Sequence, residues 1–279
     1  MNAAVSTGGR RWLWVTFWIL TFFLYAPLVI LVIFSFNDRE FVSFPWEGFT
    51  FRWYQTFLEN DEIFKSLRIS LLVASVTAVV TAVLAIPASI ALVRRRFFAK
   101  SLVSGMMLAP LVIPLVVLGI SLLILFNTIG IEASPLTVVI GHVVIALPFA
   151  ILTLVPRLER IPVSLEEASR DLGANWLTTF RQITFPLMAP ALFSAFLLSF
   201  VISFDEVVVA SFVAEDATFP VYLLSQLRLP RQLPQVIAVA VVILVISAII
   251  VIAAEVLRRV SDRRLESLTT VQEEEVAVT

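Results

Sequence analysis

The chain of 279 residues contains no cysteine and one histidine, His142. The first absence excludes a disulfide framework and a thiolate metal site, and a single imidazole excludes a multi-histidine metal centre. Glycine is sparse at 8 residues. None of these opens a G-x-x-x-x-G-K-[ST] phosphate loop, so the chain has no such cradle for ATP phosphates. Charge is thin as well: 15% of residues are charged and the net charge is −1, while 59% are hydrophobic and the mean hydropathy is +0.98. That is more apolar surface than a closed core can hide, so much of it must face lipid. Composition therefore points to an integral membrane protein. No internal repeat or low-complexity tract is visible.

What is present is a series of apolar runs. Six are long enough to cross about 30 Å of hydrocarbon at helical rise: Trp12–Phe36, Ile69–Val93, Ser101–Phe126, Leu136–Val155, Leu187–Val213 and Gln235–Leu257. The first exceeds the roughly 7–15-residue apolar region of a secretory signal, and no small-residue cleavage site follows, so it reads as a retained helix. Pro110 and Pro114 predict kinks in the third run and Pro148 in the fourth, while Ser134-Pro135 has the form of an N-cap and N1 pair. The N-terminal segment, Arg94–Lys100, Arg157–Arg181 and Arg258–Arg264 hold 14 Lys and Arg. The alternate loops, Asn37–Arg68, Asn127–Pro135 and Ala214–Pro234, hold 6. The positive-inside rule then places both termini in the cytoplasm. The expected organisation is a cytoplasmic N-terminus (1–11), a six-helix transmembrane region (12–257) and a solvated cytoplasmic tail (258–279). The outer loops are too short for a substrate-capturing domain.

One cytoplasmic loop is out of proportion to the others: RLERIPVSLEEASRDLGANWLTTFRQITFP, residues 157–186. Ser164 followed by Glu167 is a capping-box pattern, and Leu165, Ala168, Leu172 and Trp176 recur at near-helical spacing. Gly173 predicts a break between two short helices. Such a segment fits either an amphipathic helix against the headgroups or a docking element for a cytoplasmic partner.

Glu167-Ala168-Ser169, then Gly173, then Ile183-Thr184-Phe185-Pro186 resemble, at that spacing, the EAA loop of ABC importer permeases. Ser169 replaces the second alanine of that pattern and Phe185 its leucine. The resemblance implies an all-α integral membrane fold of six transmembrane helices with a cytoplasmic coupling-helix loop, as in type I ABC importer permeases. It implies Glu167, Ala168 and Gly173 as a docking core for a separate ATPase, with Arg170 and Asp171 as polar contacts beside them. A capping role for Glu167 is compatible with docking. On this reading the chain is a transport subunit of a bacterial cytoplasmic membrane and not an enzyme. It binds no cofactor itself. Its partners are a second permease, two ATPase subunits holding ATP-Mg, and a periplasmic binding protein; no nucleic acid is expected.

The fifth run carries two adjacent acids, Asp205 and Glu206. A carboxylate at mid-bilayer costs about 2.5–3.5 kcal/mol, so such residues usually face a bundle interior or a watery path. Counted from Leu187, Asp205 lies about 27 Å along the helix, toward the outer mouth. A helix running on to Val213 would set Ser199, Ser203 and Glu206 on one face with Ala195 and Ala210, and Asp205 about 100° away. Either the two acids, with Ser203 and Ser199, line a substrate path, or they anchor Arg228, Arg231 or a partner's basic residue.

The wider stretch LLSFVISFDEVVVASFV, with YAPLVILVIFSFN and EEASRDLGA, resembles the polyamine importer permeases, the second permease subunit for spermidine or putrescine, from Leu24 to Val260. This implies a polycationic substrate, which carboxylates and aromatic faces attract. The outer loops add a weak pull, with nine acids against six bases. A rival is an ABC permease for ferric iron, an amino acid or a sulfur oxyanion, although the acid pair repels anions. A proton-coupled secondary transporter using Asp205, Glu206 and His142 as a relay is another, against which the EAA spacing counts. His142 beside Gly141 is expected to be hydrogen-bonded at a helix contact. The aromatic residues Trp46, Phe49, Phe51, Trp53, Tyr54 and Phe57 are expected mostly on an amphipathic helix at the headgroup belt.

Overall fold

The computed structural model describes residues 7–41, 43–246 and 248–249. It divides into two compact units: Asp61–Ser225, and the described parts of Met1–Asn60 with Gln226–Thr279. Among the described residues the ordered structure is helical, with one isolated bridge between Asn37 and Phe49.

In the second of these units, α1 (Thr7–Phe34) follows the first apolar run and already includes residues 7–11 of the expected N-terminal segment. Trp12, Trp14, Phe17, Trp18, Phe22 and Phe23 are exposed along it, as lipid-facing side chains are. The helix α2 (Arg52–Leu58) corrects the expectation for the aromatic loop. It carries Trp53, Tyr54 and Phe57, whereas Trp46, Phe49 and Phe51 precede it. Seven residues make two turns, too few to present six rings on one face. The rings of Phe49, Phe51 and Tyr54 instead gather around Phe36, at centroid distances of 4.9, 5.5 and 5.3 Å. Trp53 is buried and its Nε1 donates to the Asn37 carbonyl at 2.8 Å, while the Tyr54 hydroxyl and Ser35 Oγ share a hydrogen bond of 2.7 Å.

The unit Asp61–Ser225 is built on three long helices that pack on one another: α3 (Asp61–Arg94), α6 (Pro135–Glu159) and α9 (Phe185–Asp205). Between them in sequence lie α4 (Lys100–Leu108), α5 (Leu115–Thr128), α7 (Val163–Asp171) and α8 (Trp176–Thr179); α10 (Ala210–Val213) and α11 (Phe219–Gln226) follow. On α3 the buried residues Ser66, Ser70, Ala74, Ala78 and Ala82 recur every fourth position, as do Thr77, Thr81, Ala85 and Ser89. Small side chains at that spacing let helix backbones approach where no hydrophobic effect drives them together. At one end of the bundle Val73, Val138, Val139, Val209 and Val213 form an apolar cluster with Leu122 and Phe126 of α5. At the other end Ala85, Ala150, Leu154, Leu158, Met188 and Ala195 form a second. The start of α6 is as expected, with Ser134 Oγ accepting from the Thr137 N–H and Pro135 opening the first turn. It continues unbroken through Pro148 and Pro156.

Two apolar runs differ from their expected form. The third is a broken pair, Lys100–Leu111 and Leu115–Thr128, bent by 102°. Pro114 caps the second piece with ψ 129°, lacks an N–H, and disfavours helix at the residue before it, so a break replaces the kink. In the fifth run α9 stops at Asp205 and Glu206 takes extended backbone before α10 begins, so no single helix reaches Val213. Among the described residues, four helices are long and apolar enough to cross a membrane, or five if the bent pair is one span. A shorter apolar helix, α12 (Leu233–Ile246), occupies the sixth run. The end of that run and the tail 258–279 lie outside the described residues.

Candidate functional sites

The long loop folds as α7, a left-handed glycine, and α8 running through a π turn, Phe180–Thr184, directly into α9. Gly173 has φ +87°, with no neighbour near its absent side chain, and its N–H donates to the Arg170 carbonyl at 2.8 Å. This is a glycine-terminated helix end, as expected. The second short helix is instead the first turn of a helix spanning Trp176–Asp205. Asn175 caps it, accepting from the Thr178 N–H at 2.8 Å. The wider π turn lies just where Pro186 would clash with a carbonyl one normal turn back.

The capping box of Ser164 and Glu167 is not formed. Pro162 is the N-cap of α7 and no side chain caps it, because Ser164 already lies within the first helical turn. Glu167, Ala168, Arg170, Asp171 and Gly173 are all exposed. So are the apolar side chains on the same helix and beyond it, Leu165, Leu172 and Trp176, with Leu172 at 89%.

Beneath this exposed face lies a residue that sequence reasoning missed. Glu166 is buried to 8% exposure. Its Oε1 accepts from Arg94 Nε at 3.2 Å and from Thr184 Oγ1 at 3.2 Å. Arg94 also donates from Nη2 to the Ile161 carbonyl at 2.8 Å. The available signal was the doubled acid Glu166-Glu167, whose side chains point about 100° apart on the helix, so one can turn toward the bundle while the other faces out.

The acid pair splits into two environments. Glu206 is buried, and its carboxylate accepts three backbone N–H groups: Val208 at 2.9 Å, Val209 at 2.9 Å and Ala210 at 3.0 Å. This caps the turn into α10 and offsets the orphan donors of a helix start. His142 Nε2 lies 3.2 Å from Glu206 Oε2 without hydrogen-bond alignment, and His142 Nδ1 shares a 2.8 Å hydrogen bond with Ser203 Oγ. Gly141 permits this contact, because a Cβ there would stand 2.9 Å from Val209 Cγ1. The histidine is thus hydrogen-bonded at a glycine-mediated helix contact, as expected.

Asp205 is exposed and carries no hydrogen bond or ion pair among the described residues. With Glu206 it lines a cavity of about 510 Å³ whose walls include Pro110, Leu111, Ile145, Phe149 and Ile202. Ser199 and Ser203 do not line it. Ser199 is buried with its hydroxyl donating to the Ala195 carbonyl at 2.8 Å, and Ser203 is taken up by His142. Their place at the helix interface argues against the path role expected of them. The anchors observed for Glu206 are backbone amides and His142. A cavity with one uncommitted carboxylate and an aromatic ring, Phe149, in its otherwise aliphatic wall suits an ammonium group.

Residues 82–267 match the family described as binding-protein-dependent transport system inner membrane component. The chain is similar to the spermidine/putrescine transport system permease protein PotC of Escherichia coli (strain K12), 36% identical over 239 residues, covering 85% of this chain and 90% of the relative. PotC of Haemophilus influenzae is 35% identical over 239 residues, covering 85% and 92%. The putrescine transport system permease protein PotI of Escherichia coli (strain K12) is 38% identical over 231 residues, covering 80% and 82%.

Proposed function

The chain belongs to the family of binding-protein-dependent transport system inner membrane components, and on that premise we propose that it forms half of the path of an ATP-driven polyamine importer. Spermidine or putrescine is the cargo. A second permease completes the path, two ATPase subunits holding ATP-Mg supply the energy, and a periplasmic binding protein delivers substrate. The spanning region is residues 12–257, with 1–11, the loop 157–186 and 258–279 on the cytoplasmic side of a bacterial inner membrane.

The observation that carries this reading is the division of labour between the two acids. Asp205 presents a free carboxylate to the cavity, while Glu206 is spent on the backbone that places it there. An ammonium entering low dielectric loses hydration, and a fixed carboxylate at close range restores part of that loss. An anion would meet repulsion at the same point. In the docking loop, exposure of Glu167, Ala168, Arg170 and Asp171 on a short helix, and of Gly173 just past its end, supports a surface for the ATPase.

The test is uptake by the reconstituted importer. Labelled putrescine should accumulate with ATP, spermidine should compete, and sulfate and neutral amino acids should not. No ATP-dependent accumulation of putrescine or spermidine by the assembled importer would refute the polyamine reading.

A further inference from the structure

We propose that Glu166, which the docking motif does not include, is the positioning residue that transmits movement of the docked α7 into the transmembrane helices. The inference rests on the docking reading of the loop. Glu166 is the buried residue of α7 among the described residues, so this helix is held to the bundle by a polar clasp and not by an apolar core. One carboxylate oxygen, Oε1, joins three elements. It accepts from Arg94 in the last turn of α3 at 3.2 Å and from Thr184 at the end of the π turn at 3.2 Å, while its own backbone lies in α7. Arg94 ties in the loop before α7 through the Ile161 carbonyl at 2.8 Å. Ser169 and Thr179 add a second link between α7 and α8 at 3.1 Å.

What these partners do next makes the clasp a transmission point. Thr184 immediately precedes α9, whose far end carries Asp205 about 30 Å away at helical rise. Arg94 ends α3, which packs along both α6 and α9. A push on α7 therefore reaches two of the three core helices through one side chain. Hydrogen bonds to a charged group are directional, so they carry displacement where a sliding apolar contact would not. The π turn is the place where α9 departs from the regular ladder, and such segments often lie at functional positions.

The test uses the full importer, reconstituted with its second permease, ATPase subunits and binding protein, and reads three quantities. These are the ATPase retained on the purified chain, ATP hydrolysis, and putrescine taken up per ATP. Glu166→Ala should retain the ATPase and hydrolyse ATP, with uptake per ATP down about tenfold. Thr184→Val should lower the ratio about threefold, and Glu166→Gln, which keeps an acceptor, should lose less than Glu166→Ala. Glu167→Ala, in contrast, should lose bound ATPase. An unchanged uptake per ATP in Glu166→Ala overturns the clasp. So does loss of the ATPase in Glu166→Ala while Thr184→Val couples normally, since Glu166 would then act in docking or folding. If Glu166→Ala does not reach the membrane, Thr184→Val and Arg94→Lys decide the matter by the same ratio. ATPase retention by Glu167→Ala overturns the docking reading itself, and the clasp with it, whatever the clasp variants do.

Discussion

At the scale of single residues, two adjacent carboxylates have opposite fates for a local reason. Glu206 follows the last turn of α9, and its side chain satisfies three amides that the next turn leaves unpaired. Asp205, one position earlier, is carried round to the cavity. Their substitutions should therefore separate. Glu206→Gln sets an amide NH2 where backbone N–H groups converge, and should cost about 1–3 kcal/mol of stability, read as a lower unfolding temperature of the detergent-solubilised chain. Asp205→Asn should leave that temperature unchanged and cut putrescine uptake by roughly tenfold, from a charge interaction of about 1–4 kcal/mol at close range. The reverse pattern, a destabilised Asp205→Asn with full uptake, would reassign the roles. Both acids stand out in sequence because they interrupt an apolar run. Which of them is free was not legible there, because a helix drawn through Glu206 hides the break that the carboxylate itself creates.

At the scale of elements, the docking helix depends on one backbone conformation. Gly173 adopts φ +87° with open space around it, so a side chain there meets backbone strain and no clash. Gly173→Ala should cost about 1–2 kcal/mol locally and reduce ATP-coupled uptake, whereas Gly173→Asn, which tolerates the left-handed region, should retain most of it. Equal uptake in both variants and in the parent chain would show that this turn does not matter to coupling. The break at Gly173 was visible in sequence through the glycine alone, and so was the cap at Ser134, because both are governed by residues next to one another. The false capping box at Ser164 shows where that logic ends: the Pro162-led start of α7 moves the helix end by two residues and leaves the pattern without its geometry. The burial of Glu166 depends on Arg94, 72 positions away, and the doubled acid Glu166-Glu167 does not say which of the two turns inward.

At the scale of the whole molecule, the distribution of Lys and Arg makes a directional prediction. Reporters inserted near Lys100 or fused after Thr279 should be cytoplasmic, and one inserted near Asn60 should be external; an internal Asn60 reporter would invert the chain and move the docking loop to the wrong side. Apolar runs, basic loops and the EAA spacing are properties of composition and order along the chain, so they announce a helical membrane permease without coordinates. The sequence by itself also determined the helix starts and stops imposed by Ser134 and Gly173, and the presence of an acid pair in an otherwise apolar run. Only the tertiary structure decided that Pro114 breaks the third run by 102°, that Ser199 and Ser203 turn away from the cavity, and that Glu166 is buried against Arg94 and Thr184. The physical reason is common to all three. Hydropathy and helical period set whether a segment can lie in lipid and which residues share a face, but neither sets which neighbouring helix takes up a hydroxyl, a carboxylate or a broken turn.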